Sequence, residues 1–147
     1  METMKLKIWD SHRKIMFEPK VIDIFLDCEG NVYQQVYSED EMSIKHLKQL
    51  NSQKHIKRLY TGLRDHLKTE IYSGDIVKIY FDGEPENGVS SYQKVCVVGW
   101  NYEAAGFEVR DFNGRTEDFE KCITEDFFEV IGNIYENPGL FQAMNAQ

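Results

Sequence analysis

Apolar and polar residues alternate over much of the chain with a period of two, the pattern of strands half buried in a sheet. Leu6-Lys7-Ile8-Trp9 opens the series, Asp10-Ser11-His12-Arg13 supplies turn chemistry, and Ile15-Met16-Phe17 follows. Together they predict an N-terminal hairpin. Val21 to Leu26 is β-branched and aromatic, and Glu29-Gly30-Asn31 turns it into Val32 to Tyr37, a second hairpin. The strongest strands lie further on, at Ile76–Phe81, Tyr92–Trp100 and Phe107–Phe112. Asn113-Gly114 comes directly after and predicts a type I′ turn with both residues at positive φ. Phe127 to Tyr135 is the last strand, bent at Gly132.

Two segments break the alternation. Ser38-Glu39-Asp40-Glu41 has the spacing of a capping box, and Ile44, Leu47 and Leu50 recur every three residues behind it. This predicts a short helix with a thin apolar stripe. Asn137-Pro138 reads as a cap with proline at the first helical position, so Gly139 to Met144 is expected to form a terminal turn of helix. Many short strands with turn signals between them predict a mainly β fold, with N-terminal β-hairpins and one or two short helices. The later strands are expected to curl into a small bent β-barrel toward the C-terminus. Residues 1–58 are read as hairpins plus a basic helix or loop and residues 59–147 as the barrel, the two sharing one core.

Of 147 residues, 41% are hydrophobic and 13% aromatic, enough for one compact domain or two small lobes. The net charge of −8 disfavours nucleic acid and anionic membranes as partners of the whole molecule. Charge is nevertheless segregated. Residues 41–68 carry seven basic side chains against two acidic ones, whereas residues 101–147 carry ten acids against three bases. Lys45, Lys48, Lys54, Lys57 and Arg58 are therefore the candidate contacts for a nucleic acid or an acidic partner, with Tyr60, Tyr72 and Tyr80 as stacking groups. The same asymmetry suits head-to-tail association between copies. No run of apolar residues is long enough for a membrane-spanning helix, and the start lacks a signal-peptide core, which places the chain in the cytoplasm with no membrane partner.

Chemistry-bearing patterns point away from catalysis. The nucleophile elbow, the zincin helix, the phosphate loop and the dinucleotide fingerprint have no match. Cys28, Cys96 and Cys122 are widely spaced, and Cys96 within Val95-Cys96-Val97-Val98 reads as a buried strand thiol. His12, His46, His55 and His66 read as solvated surface residues. No catalytic residue, cofactor or metal site is assigned.

Four blocks in order resemble the YopX family of phage and prophage proteins. Trp9-Asp10 with Lys14 and Met16 is similar to the family's opening pattern. Tyr60-Thr61-Gly62-Leu63-Arg64-Asp65, then Glu70-Ile71-Tyr72 with Gly74-Asp75-Ile76-Val77, then Val130 through Gly132, Asn133, Tyr135, Asn137 and Pro138 complete the match. The chain departs from the family at Leu67-Lys68, where members often carry Asn-Gly, and at Leu59, where a polar residue is common. The resemblance implies a mainly β fold, a mobile-element origin, a cytoplasmic life in a bacterial host, and oligomerisation; it implies no reaction. The motif residues are expected to be structural: Trp9 as a core anchor, Gly62 and Gly74 as positive-φ or bulge positions, Asp10 and Asp75 as turn residues, Asn133 as a bend residue satisfying backbone groups. The expected function is a non-enzymatic, oligomerising module that binds a host or phage protein. The alternative is a nucleic-acid-binding small barrel using residues 45–68.

Overall fold

The computed structural model describes residues 5–18, 24–27, 29, 31–37, 44–119 and 127–146. The fold is mostly β and divides into two units, Met1–Arg58 and Leu59–Gln147.

In the first unit, β1 (Leu6–Asp10) and β2 (Ile15–Phe17) form the expected hairpin, with Ile8 opposite Phe17 and Asp10 opposite Ile15. Strands β3 (Ile24–Leu26), β4 (Val32–Tyr37) and β5 (Ile44–Gln49) make an antiparallel meander. Strand β6 (His55–Arg64) begins here and continues into the second unit. Ile8, Val32 and Leu50 form the buried cluster, with Leu6 and Phe17 packed on it.

The expected helix through Ile44, Leu47 and Leu50 is not there; that stretch is β5. Its backbone pairs with β4 from Tyr33–Gln49 to Tyr37–Ile44, with one register slip between Val36 and Tyr37. A helix of about two turns is marginal by itself, so a ready-made ladder partner overrides a weak period-three stripe. The Ser38–Glu41 box lies outside the described residues.

In the second unit, β6 pairs with β7 (Glu70–Tyr72). A five-stranded antiparallel sheet runs in the order β11-β10-β9-β8-β12, built from β8 (Asp75–Phe81), β9 (Tyr92–Asn101), β10 (Gly106–Arg110), β11 (Thr116–Asp118) and β12 (Phe127–Asn133). A 3₁₀ turn, Pro85–Asn87, lies in the β8–β9 loop, and α1 (Leu140–Asn145) follows the sheet. One face of the sheet carries the core residues Val77, Ile79, Cys96, Val98, Val109 and Phe128, and Ile71 of β7 and Phe119, just after β11, belong to the same cluster.

The curled barrel is half a barrel, not a closed cylinder. Strand β11 is a three-residue edge with Glu117 and Asp118 exposed, too short and too charged to close upon. The outward backbone of β12 is already taken by the turn after β6: Asp65 Oδ2 accepts Val130 N–H at 3.0 Å, and Phe128 O accepts His66 N–H at 3.3 Å.

Two turn expectations also change. At Asn113-Gly114 only Gly114 has positive φ, 79°. Asp111 Oδ1 accepts the N–H groups of Asn113 and Arg115, each at 2.9 Å, which makes a type I turn followed by a left-handed glycine in place of the type I′ pair. Asn137 does not cap α1, whose N-cap is Gly139; its Oδ1 accepts Asn133 N–H at 3.1 Å instead.

Candidate functional site

The buried aspartates of the recurring blocks are consumed by their own turns. Asp10 accepts the N–H groups of His12 (3.0 Å) and Arg13 (2.9 Å), and Arg13 Nε donates to its second oxygen at 2.7 Å. These Arg13 bonds, backbone first, hold its carboxyl at about 2, well below the usual range. His55 Nε2 stands 3.6 Å from the same oxygen, while its Nδ1 meets Asn51 O at 3.2 Å, so both ring nitrogens face protein acceptors. Asp65 takes Leu67 and Thr69 N–H as well as Val130 N–H, and Asp75 Oδ2 takes Tyr72 N–H at 2.7 Å. Asp10, Asp65 and Asp75 thus each accept backbone N–H groups of a turn or junction.

The glycines and the last block fit the same framework. Gly62 and Gly74 both have φ of 85°, open to glycine and costly for other residues. At Gly74 space matters too, because a Cβ would lie 2.5 Å from the Tyr135 ring. Gly132 sits at the β12 bulge, where a Cβ would meet the Asn137 side chain at 2.7 Å. Asn133 is buried and accepts N–H from Tyr135 (3.1 Å) and Glu136 (2.8 Å). Trp9 is buried in the first unit.

What this framework positions is a pocket of about 410 Å³ in the second unit. Pairing of β6 with β7 jumps from Tyr60–Tyr72 to Arg64–Glu70, a bulge centred on Gly62. Thr61 Oγ1 pins it by donating to Ile71 O at 2.9 Å and accepting Leu63 N–H at 3.2 Å. Thr61 and Leu63 on either side of Gly62 form one wall. Across from them Trp100 of β9 pairs directly with Phe107 of β10, their rings edge to face at 4.9 Å. Phe107 meets Phe119 at 6.4 Å, and Phe119 meets Phe128 of the core at 5.5 Å. This ladder of rings runs from the buried Phe128 to Trp100, which is partly exposed. Ala105 and Gly106 complete the lining beside Asp118; Ala105 holds φ of 49°, a strained value for a residue with a Cβ.

The basic segment is less of a face than its composition suggests. Lys48 and Lys54 are exposed, Lys57 is half-buried, and the Lys45 side chain lies outside the described residues. Arg58 is only 2% exposed, its Nη1 donating to Met16 Sδ at 3.8 Å, so it belongs to the interior of the first unit. Tyr72, proposed as a stacking group, is buried, with its hydroxyl donating to Glu70 at 2.9 Å. His66, expected at the surface, is exposed and donates through Nδ1 to Phe128 O at 2.6 Å. Cys96 is buried, and desolvation pushes its thiol up to about 12, which makes it inert. Cys28 and Cys122 lie outside the described residues. Among the described residues, no three His, Cys, Asp or Glu side chains converge as metal ligands, and no helix is long and apolar enough to cross a membrane.

Sequence reasoning missed the pocket because its walls come from three distant stretches. The signal available was the cross-strand pairing of Trp100 with Phe107, readable once Asn101 to Ala105 is taken as the turn between their strands.

Fold and site together define a class: two-unit β proteins in which glycine- and aspartate-built junctions frame a curled half-barrel with an aromatic pocket. The family model for YopX protein matches residues 5–142, and the chain belongs to the YopX family. Among solved structures, protein EF1440 from Enterococcus faecalis is 21% identical with a TM-score of 0.57, covering 96% of this chain and 99% of that one. Protein yopX from Bacillus subtilis is 20% identical with a TM-score of 0.58, covering 95% and 98%. At these identities the likeness establishes a shared fold. No curated protein matches the chain.

Proposed function

We propose that this chain is a non-enzymatic accessory protein, carried by a phage or prophage and working in the bacterial cytoplasm, that self-associates and binds a second host or phage protein. The observation that carries the reading is the second unit's exposed aromatic side chains: Trp100, which lines the pocket, is 37% exposed, Phe112, beside Phe141 of α1, 54%, and Tyr102 89%. Large exposed apolar groups on an otherwise charged surface are characteristic of protein-binding sites. The turn-bound aspartates support the same conclusion, since an acid already accepting two or three N–H bonds is poorly placed for proton transfer. Acidic and basic stretches in one chain favour association between unlike faces. Light scattering after size exclusion at low and high salt tests this. The expected result is an oligomer that loosens as salt rises; a strict monomer at high concentration overturns the self-association.

The nucleic-acid reading retains the exposed Lys48 and Lys54 as contacts, with Arg58 buried and the total charge against it. Single-stranded DNA binding at low salt that weakens when both lysines become glutamine would favour it over the protein reading.

A further inference from the structure

We propose that Asn113 is a site of spontaneous covalent modification, its side-chain amide converted to aspartate or isoaspartate through a cyclic imide closed by the Gly114 nitrogen. The conversion needs only water and hydroxide, so it stands apart from the protein-binding reading. Hydroxide takes the Gly114 N–H proton, and the nitrogen attacks Asn113 Cγ. The Cγ–Nδ2 bond breaks and the amide nitrogen leaves as ammonia. Water then opens the imide at either of its carbonyls. Breaking the new bond to Cγ leaves aspartate at position 113; breaking the original peptide bond leaves isoaspartate, with an added methylene in the main chain.

The chain carries Asn-Gly twice, at Asn87-Gly88 and at Asn113-Gly114, and the structure separates them. All four residues are exposed. The attacking nitrogens are matched. Gly88 has φ of 74° and Gly114 of 79°, a Cβ at either would meet nothing within 4 Å, and their N–H groups donate to Pro85 O at 3.1 Å and to Asp111 O at 3.0 Å. The amides differ. Asn87 Nδ2 donates to Glu84 Oε2 at 2.7 Å, so turning its Cγ toward Gly88 costs a charge-assisted bond. Among the described residues, the Asn113 side-chain amide has no hydrogen-bond partner and is free to turn. The backbones differ in the same sense. The N–H groups of Asn87 and Val89 both donate to the main-chain Glu84 O, at 2.9 and 3.0 Å. Those of Asn113 and Arg115 donate to the Asp111 side chain, which can follow the main chain as it rotates. Conversion sets a second carboxylate next to that of Asp111, and isoaspartate lengthens the turn between β10 and β11.

The test incubates the full chain at neutral pH, samples it over weeks, and maps both sites by digestion and mass spectrometry. An isoaspartyl methyltransferase labels the isoaspartate product. The expected result is conversion at Asn113 about tenfold faster than at Asn87, the rate equivalent of one charge-assisted hydrogen bond. Isoaspartate label should appear in the Asn113 peptide and vanish in Asn113→Gln. Glu84→Ala frees the Asn87 amide and keeps the main-chain bonds, so the Asn87 rate should rise about threefold or more while that of Asn113 stays unchanged. In urea sufficient to unfold the chain the two rates should draw together. An Asn113 that remains intact, or an Asn87 that converts as fast in the folded wild type, overturns the proposal. A ratio that persists in urea, or an Asn87 rate unmoved by Glu84→Ala, overturns the structural selection of Asn113.

Discussion

The two units reach stability by different routes. In the first, the described buried apolar cluster is Ile8, Val32 and Leu50, and its hairpin turn closes on a buried, triply bonded Asp10. In the second, the described cluster has eight buried apolar residues, and a Cβ at the Gly74 junction would lie 2.5 Å from the Tyr135 ring. A buried aspartate closes a turn in each unit, since Asp65 of the second accepts Leu67, Thr69 and Val130 N–H, so the contrast lies in the close fit at the glycine junction.

The largest expected effect would break the comparison outright. Trp9→Ala and Phe128→Ala should each cost about 3 to 5 kcal/mol in chemical denaturation. Hydrogen exchange should then accelerate mainly in β1 and β2 for the first variant and in β8 and β9 for the second. Equal acceleration everywhere in both variants would mean that the two clusters act as one core. Next come the paired glycines of the second unit. Gly74→Ala should cost about 3 kcal/mol, combining a left-handed φ with a displaced ring. Gly62→Ala has the same φ of 85° and nothing within 4 Å of its new Cβ, so about 1 to 2 kcal/mol is expected. Equal losses at the two sites would remove the steric argument for Gly74.

The same contrast shows how much the sequence could reveal. Strands β8, β9 and β10 were legible because alternation and β-branched residues agreed over seven, ten and five positions. Positive φ at Gly74 was legible because it stands at the entrance of β8, whereas Gly62 lies within β6, at its bulge. Strand β5 was hidden by apolar residues three apart, whose helical period gave way to pairing with β4. The Asn113-Gly114 turn was misread because Asp111, two residues upstream of Asn113, chooses the loop type. Arg58 was counted as surface by charge, although its strand position puts it inside. The pocket joins Thr61, Trp100 and Asp118, whose proximity follows only from the β6 bulge and the sheet order.

A pH titration sharpens the comparison further. Asp10 has its carboxyl held at about 2 against an ordinary 3.8, so it stabilises the fold fully above the unfolded value. That contribution is lost as pH falls from about 4 through about 2. Asp10→Asn should therefore be less stable than the wild type at neutral pH, with the difference shrinking below pH about 4. Amide exchange in β1 and β2 should report it, while the β8–β9 amides stay unaffected. A difference that persists undiminished at low pH would show that the carboxylate's charge is not what closes the hairpin.

The smallest expected effect lies on the half-barrel's surface. Lys94 Nζ is 2.9 Å from Glu117 Oε1 and lies over the rings of Phe81, at 5.2 Å, and Tyr92, at 5.9 Å. Both partners are substantially solvated, so the pair's Coulomb energy is screened and partly offset by side-chain ordering. Glu117→Gln should cost no more than about 1 kcal/mol, diminishing with salt, whereas Tyr92→Ala removes the stacked ring that holds the lysine stem and should cost at least as much without salt dependence. If Glu117→Gln proved the more damaging of the two, charge pairing and not aromatic packing would secure the outer strands of the second unit.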